Sequence, residues 1–92
     1  MQVVVDMRKD SISYLEWEGF ELGSNNHQMV LIPPGIGNAF YVNSEKATYH
    51  YKLAYHGEYV DADGQFTVPW DDARINIEWP SRSPILSDRD RR

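Results

Sequence analysis

The stretch Gln28-Met29-Val30-Leu31-Ile32-Pro33-Pro34-Gly35-Ile36-Gly37-Asn38-Ala39-Phe40 limits the folds open to this chain more than any other. An apolar run from Met29 to Ile32 stops at two prolines, and an apolar-aromatic run opens at Ala39-Phe40-Tyr41-Val42. Proline fixes φ and removes a ladder donor, while glycine reaches conformations closed to other residues. The stretch reads as strand, sharp corner, strand. It sets Asn38 just after the turn, at the mouth of a β structure.

The flanking sequence carries the same signature. Val3-Val4-Val5 predicts a strand buried on both faces, followed by a polar connection over residues 6–11. Leu15 and Trp17 alternate with Glu16 and Glu18, but beyond Gly19 the apolar parity flips to Phe20 and Leu22. A one-residue shift turns a strand's face over, so a bulge is expected near Gly19. Gly23-Ser24-Asn25-Asn26 is turn chemistry returning the chain into a strand at residues 29–32. Asn43-Ser44-Glu45-Lys46 is a polar turn, and after it Tyr49, Tyr51, Leu53 and Tyr55 alternate with His50 and Lys52 as a strand. A turn at Asp61-Ala62-Asp63-Gly64, a short strand over residues 65–68, and a loop or helical turn from Trp70 follow. Ile75, Ile77 and Trp79 predict a last strand, and Ser87 the N-cap of a short turn. The expected class is all-β, with about six or seven strands.

The 92 residues suit one small domain, 1–92. Such a chain buries only about 60–65% of the surface it exposes unfolded, so anything that adds to its core matters. With no cysteine it has neither disulfides nor thiolate metal sites. No apolar run approaches the roughly 20 residues of a membrane span, and no signal-peptide pattern opens the chain. A cytoplasmic location is expected, with no membrane partner. The net charge of −5 argues against nucleic acid as a partner, and aromatics at 13% favour a β-rich domain with a ring-lined surface.

For chemistry, Tyr51 is the leading candidate. Its phenol could donate a proton to a developing carbanion or enolate, although an ordinary packed tyrosine fits the alternation as well. Lys52 faces the other way by parity. Asp90 beside Arg89 could be a carboxylate orienting a histidine and a cation meeting a phosphate, or simply a solvated charged tail. Trp70-Asp71-Asp72 has the outline of a paired-carboxylate site, but a packed Trp70 with capping acids is the plainer reading. The corner resembles the second cupin motif, with Asn38 in place of its metal-binding histidine. An amide oxygen is a poor ligand for the metals that imidazole serves. His27, His50 and His56 lack ligand spacing, so neither a metal nor another cofactor is expected.

Taken together, these segments resemble the C-terminal half of the dTDP-4-dehydrorhamnose 3,5-epimerases, the RmlC-type sugar-nucleotide epimerases. Val3-Val4-Val5-Asp6-Met7-Arg8 is similar to the family's V-x-V-D-x-R. The likeness continues through Phe20-Glu21-Leu22, Ile32-Pro33-Pro34-Gly35, Tyr51-Lys52, Trp70-Asp71-Asp72 and Ile77-Glu78-Trp79-Pro80. It closes with Pro84-Ile85-Leu86-Ser87-Asp88-Arg89-Asp90, similar to P-x-L-S-x-K-D.

The resemblance implies a cupin-type jelly roll, here a partial and short one completed by dimerisation or by a partner chain. It implies action on a nucleotide-linked 4-keto-6-deoxy sugar, in deoxysugar or cell-surface polysaccharide biosynthesis. In the family a histidine removes the C3 and C5 protons, an aspartate holds that histidine, and a tyrosine on the opposite face returns a proton. Tyr51 matches that tyrosine and Asp90 that aspartate. Arg89 stands for a substrate-contacting lysine, and Asn38 for a substrate-contacting histidine in His-Gly-Phe. The loop between Tyr51 and Trp70 is longer than in rhamnose-pathway members, as in a divergent branch. The base histidine and the lysine after it precede V-x-V-D in the family, and no histidine of these residues aligns with that base. The alternative is a non-catalytic sugar-nucleotide-binding or assembly module that has lost the catalytic histidine.

Overall fold

The computed structural model describes residues 1–54, 57 and 66–91. The strands among them are β1 (Gln2–Asp6), β2 (Trp17–Phe20) and β3 (Ile36–Phe40), in one antiparallel sheet of order β2-β1-β3. The valine run takes the centre because β-branched side chains pack well on a pleated surface flanked on both sides.

Alternation gives the sheet two unlike faces. On one face Val3 lies between Gly19 and Ala39, and Val5 between Trp17 and Gly37. Small residues beside the valines leave room for Met1, Met7 and Trp17 to close in. Ile75 completes the buried cluster, with Leu15, Val68, Ile77 and Trp79 packed around it. The other face carries Gln2 between Phe20 and Phe40, Val4 between Glu18 and Asn38, and Asp6 beside Ile36. Val4 is only half-buried, so β1 is covered less evenly than its apolar run predicts.

The bulge expected near Gly19 is absent there. Pairing runs unbroken from Val5↔Trp17 to Gln2↔Phe20, straight through Gly19. The irregularity falls at Leu15 and Glu16, which both oppose Asp6: Leu15 N donates to Asp6 O at 2.7 Å, and Asp6 N to Glu16 O at 3.0 Å. Leu15 has φ of 68°, the left-handed first position of a bulge usually held by glycine. The parity flip signals the end of a short strand rather than a bulge inside it.

Asp6 fastens this bend. Its carboxylate accepts Arg8 Nε and Nη2, each at 3.0 Å, Ser11 Oγ at 2.6 Å, the Arg8 backbone N–H at 3.0 Å and the Ser13 hydroxyl. The Arg8 guanidinium, followed by the two hydroxyls, holds the Asp6 carboxyl well below its ordinary value of 3.8. A carboxylate with a depressed folded pKa stabilises the fold above its unfolded value and loses that contribution as pH falls towards the folded one. Asp6→Asn is therefore expected to lower the urea midpoint at pH 7. The gap from the parent should stay flat down to about pH 4.5 and narrow below that. A gap independent of pH between 4.5 and 2 would remove Asp6 from the acid response.

The Pro33-Pro34-Gly35 corner is a tight turn, closed by Ile36 N donating to Pro33 O at 3.3 Å. Proline in its second position and Gly35 at φ +88° in its third make it a type II turn. A Cβ on Gly35 would also meet Arg8 Cγ at 2.6 Å. Gly35→Ala is expected to cost about 1–2 kcal/mol, read as a lower denaturation midpoint at unchanged slope.

Several predicted strands are absent among the described residues. Residues 29–32 form none, with Met29 and Leu31 97% and 94% exposed. Their apolar composition suits a covered strand, but no described strand pairs with them. Residues 49–54 and 66–68 are likewise outside any strand. At residues 75–79 the predicted burial alternation holds, but Asn76 at φ 56° breaks the extended path. The Asp61-Ala62-Asp63-Gly64 turn, Tyr55, His56 and Gln65 lie outside the described residues. The Gly23–Asn26 turn and the Ser87 N-cap do form.

Candidate functional site

The sheet face opposite the core is where candidate residues converge. Asn38 lies mid-strand in β3, further into the sheet than the corner reading places it, and its side chain shares a face with Gln2 and Phe40. Gln2 is buried, and its amide is fully engaged. Nε2 donates to Val3 O at 3.2 Å and to Asn38 Oδ1, while Oε1 accepts the Tyr49 hydroxyl at 2.7 Å. The Tyr49 oxygen also lies 3.3 Å from Asn38 Oδ1.

Rings extend this polar floor sideways. Tyr49 stacks on Phe40 with centroids 4.2 Å apart and planes 16° from parallel. Tyr51 tilts against Tyr49 at 5.8 Å and 47°. Tyr51 remains 62% exposed, so its ring is anchored on one side and open on the other. Asn38, Gln2, Phe40, Tyr49 and Tyr51 thus form one continuous aromatic and amide surface. Aromatic faces of this kind take up planar or sugar-ring ligands, with the Asn38 amide and the Tyr51 phenol as polar contacts.

Asp90 stands on a separate turn at the chain's end. It caps against Ser87: Ser87 Oγ donates to Asp90 Oδ2 at 2.7 Å, and Asp90 N lies 3.2 Å from Ser87 Oγ. Arg91 N donates to Ser87 O at 3.2 Å and closes the turn, on which Arg89 is half-buried. The bonds that hold Asp90 thus run within its own turn, whereas contacts join Asn38 to Tyr51 through Tyr49.

Of the two acids after Trp70, Asp72 is held locally by Arg74. Asp72 accepts the Arg74 backbone N–H at 2.9 Å and pairs with its guanidinium at 2.8 Å, which lowers the Asp72 pKa. Trp70 is half-buried and accepts Trp79 Nε1–H at 2.8 Å through its carbonyl. Lys52, His27 and His50 are exposed. No cluster of three or more metal-ligating side chains occurs among the described residues, and none of their helices is long and apolar enough to cross a membrane.

Gln2 and Tyr49 are the residues of this surface that the sequence reading did not single out. An amide two positions from Val4, on the non-core parity of β1, was the available signal.

The family model described as dTDP-4-dehydrorhamnose 3,5-epimerase matches residues 1–92. The chain belongs to that family. It is 38% identical over 88 residues to the dTDP-4-dehydrorhamnose 3,5-epimerase of Shigella flexneri, covering 96% of this chain and 47% of that protein. The enzyme of the same name from Methanothermobacter thermautotrophicus is 37% identical over 94 residues, with 97% and 48% covered. The dTDP-4-dehydrorhamnose 3-epimerase of Streptomyces niveus is 38% identical over 88 residues, with 96% and 41% covered. The chain spans about half the length of these relatives.

Proposed function

We propose that this chain carries the proton-donating side of a nucleotide-sugar 3,5-epimerase whose substrate is a dTDP-linked, or similarly linked, 4-keto-6-deoxy sugar. The observation that carries the proposal is the continuous surface from Asn38 through Tyr49 to Tyr51. It sets a phenol and an amide on one aromatic-lined sheet face.

The chemistry begins with a base taking the proton from C3 or C5, both reached through the C4 ketone, so that the electron pair passes into an enolate. Tyr51 then delivers its phenolic proton to the same carbon from the opposite face, inverting the centre. The base is a histidine from chain outside these residues, brought beside Asp90, whose carboxylate orients it and balances its charge when protonated. Arg89 meets the diphosphate. The fold completed in this way is a cupin-type jelly roll, with a second chain or a second copy covering what the strands of the described residues leave open.

Solvent-deuterium incorporation tests the proposal. With the histidine-bearing chain present, incubation in heavy water with dTDP-4-keto-6-deoxyglucose is expected to label C3, C5 or both, as read by NMR. Tight binding of the nucleotide sugar with no label at either carbon would instead support a binding or assembly module.

A further inference from the structure

We infer that Asn38 is a fixed hydrogen-bond donor in this site, selecting a ligand that presents a ketone or enolate oxygen to it; the inference rests on the nucleotide-sugar reading above. An asparagine side chain can ordinarily turn either its oxygen or its nitrogen outward, and the two ends differ little in shape. Here the choice is forced by a chain of contacts ending on a group that cannot rotate.

That group is the Val3 carbonyl, an obligate acceptor in the central strand. The Gln2 atom facing it at 3.2 Å must be the donor, Nε2. Turning the Gln2 amide over would set two oxygens against each other in a buried place. The same Nε2 faces Asn38, so the Asn38 atom meeting it must be Oδ1. The Tyr49 hydroxyl locks the other end of Gln2. It has a single proton, which goes to Gln2 Oε1 at 2.7 Å in preference to Asn38 Oδ1 at 3.3 Å. Every constraint runs in one direction, from Val3 through Gln2 to Asn38. The Asn38 oxygen is held inward, and its two Nδ2 protons face away from Gln2.

Asn38 is exposed, so those protons are available to a ligand lying on the sheet face beside Tyr51. A ketone oxygen accepts from them without bringing a donor of its own, and the interaction strengthens as charge moves onto that oxygen in an enolate. A hydroxyl at the same position can accept too, but its own proton then lacks a partner at Asn38.

The test compares two ligands differing only at C4, dTDP-4-keto-6-deoxyglucose and dTDP-6-deoxyglucose, by calorimetric titration. The protein is expected to bind the ketone about three- to tenfold more tightly, the size of one hydrogen bond. Asn38→Asp keeps the inward oxygen for Gln2 but offers no N–H, and is expected to bring that ratio to about one or below. Because position 38 is exposed and Gln2 keeps its acceptor, the variant should melt as the parent does. Binding of dTDP itself separates the two levels of the argument. If dTDP binds both proteins and the ketone-to-hydroxyl ratio is unchanged in Asn38→Asp, the donor role is overturned while the nucleotide-sugar reading stands. If neither protein binds dTDP, that reading fails and takes the inference with it.

Discussion

Tyr51→Phe is expected to lower inversion at C3 or C5 of dTDP-4-keto-6-deoxyglucose, followed by NMR, by about 10²- to 10⁴-fold, the usual worth of a positioned general acid. Affinity for the nucleotide sugar should stay within about threefold, because a hydrogen bond to one exposed hydroxyl contributes little net free energy. The structure makes this a clean substitution. Tyr51 is 62% exposed, and its ring rests against Tyr49, a contact that phenylalanine keeps. Stability should change by less than about 0.5 kcal/mol, as for other surface substitutions that leave packing intact. A loss of inversion therefore reports on the phenolic proton and not on the fold. Undiminished inversion in the variant would take Tyr51 out of the chemistry.

What could be read from the chain depended on how local its cause was. The turn at Pro33-Pro34-Gly35 was legible because proline and glycine set their own dihedrals. The Ser87 cap was legible because its partner is three residues away. The valine run announced the central strand. Pairing was not legible, because a ladder needs an edge to bind. Residues 29–32 have the composition of a strand but pair with no described neighbour, and the alternation at residues 75–79 survives as burial without becoming a strand. The bulge illustrates the same limit. Parity marked the strand's end beyond Gly19, whereas the bulge at Leu15 and Glu16 shows only in the bonds to Asp6.

The site divides along the same line. The Tyr49–Tyr51 spacing reports a shared face, and the family motifs point to Asn38 and Asp90. Nothing local indicates that Gln2, far away in sequence, joins Asn38 to Tyr49. Its orientation depends on a backbone carbonyl whose direction exists only once the sheet has formed.

Val3→Ala is expected to cost about 2–3 kcal/mol, and the same change at the adjacent Val4 less than about 1 kcal/mol. Val3 is fully buried at the centre of the cluster with Val5 and Ile75, so removing two methyl groups leaves a cavity that rigid strand neighbours cannot close. A chain of this size is worth about 5–14 kcal/mol in total, so this loss is a large fraction of it. A drop of roughly 10–20 °C in Tm should accompany it. Val4 points to the other face, half-buried between Glu18 and Asn38, where water can fill the space left behind. The paired comparison tests register as well as packing. A one-residue slip of β1 would exchange the two faces, giving Val4 the large cost and moving Gln2 away from Asn38 and Tyr49. Similar costs at the two positions would mean that β1 is covered on both sides in solution. In that case the aromatic and amide surface would lie under another layer of chain, and a ligand could reach it only between the layers.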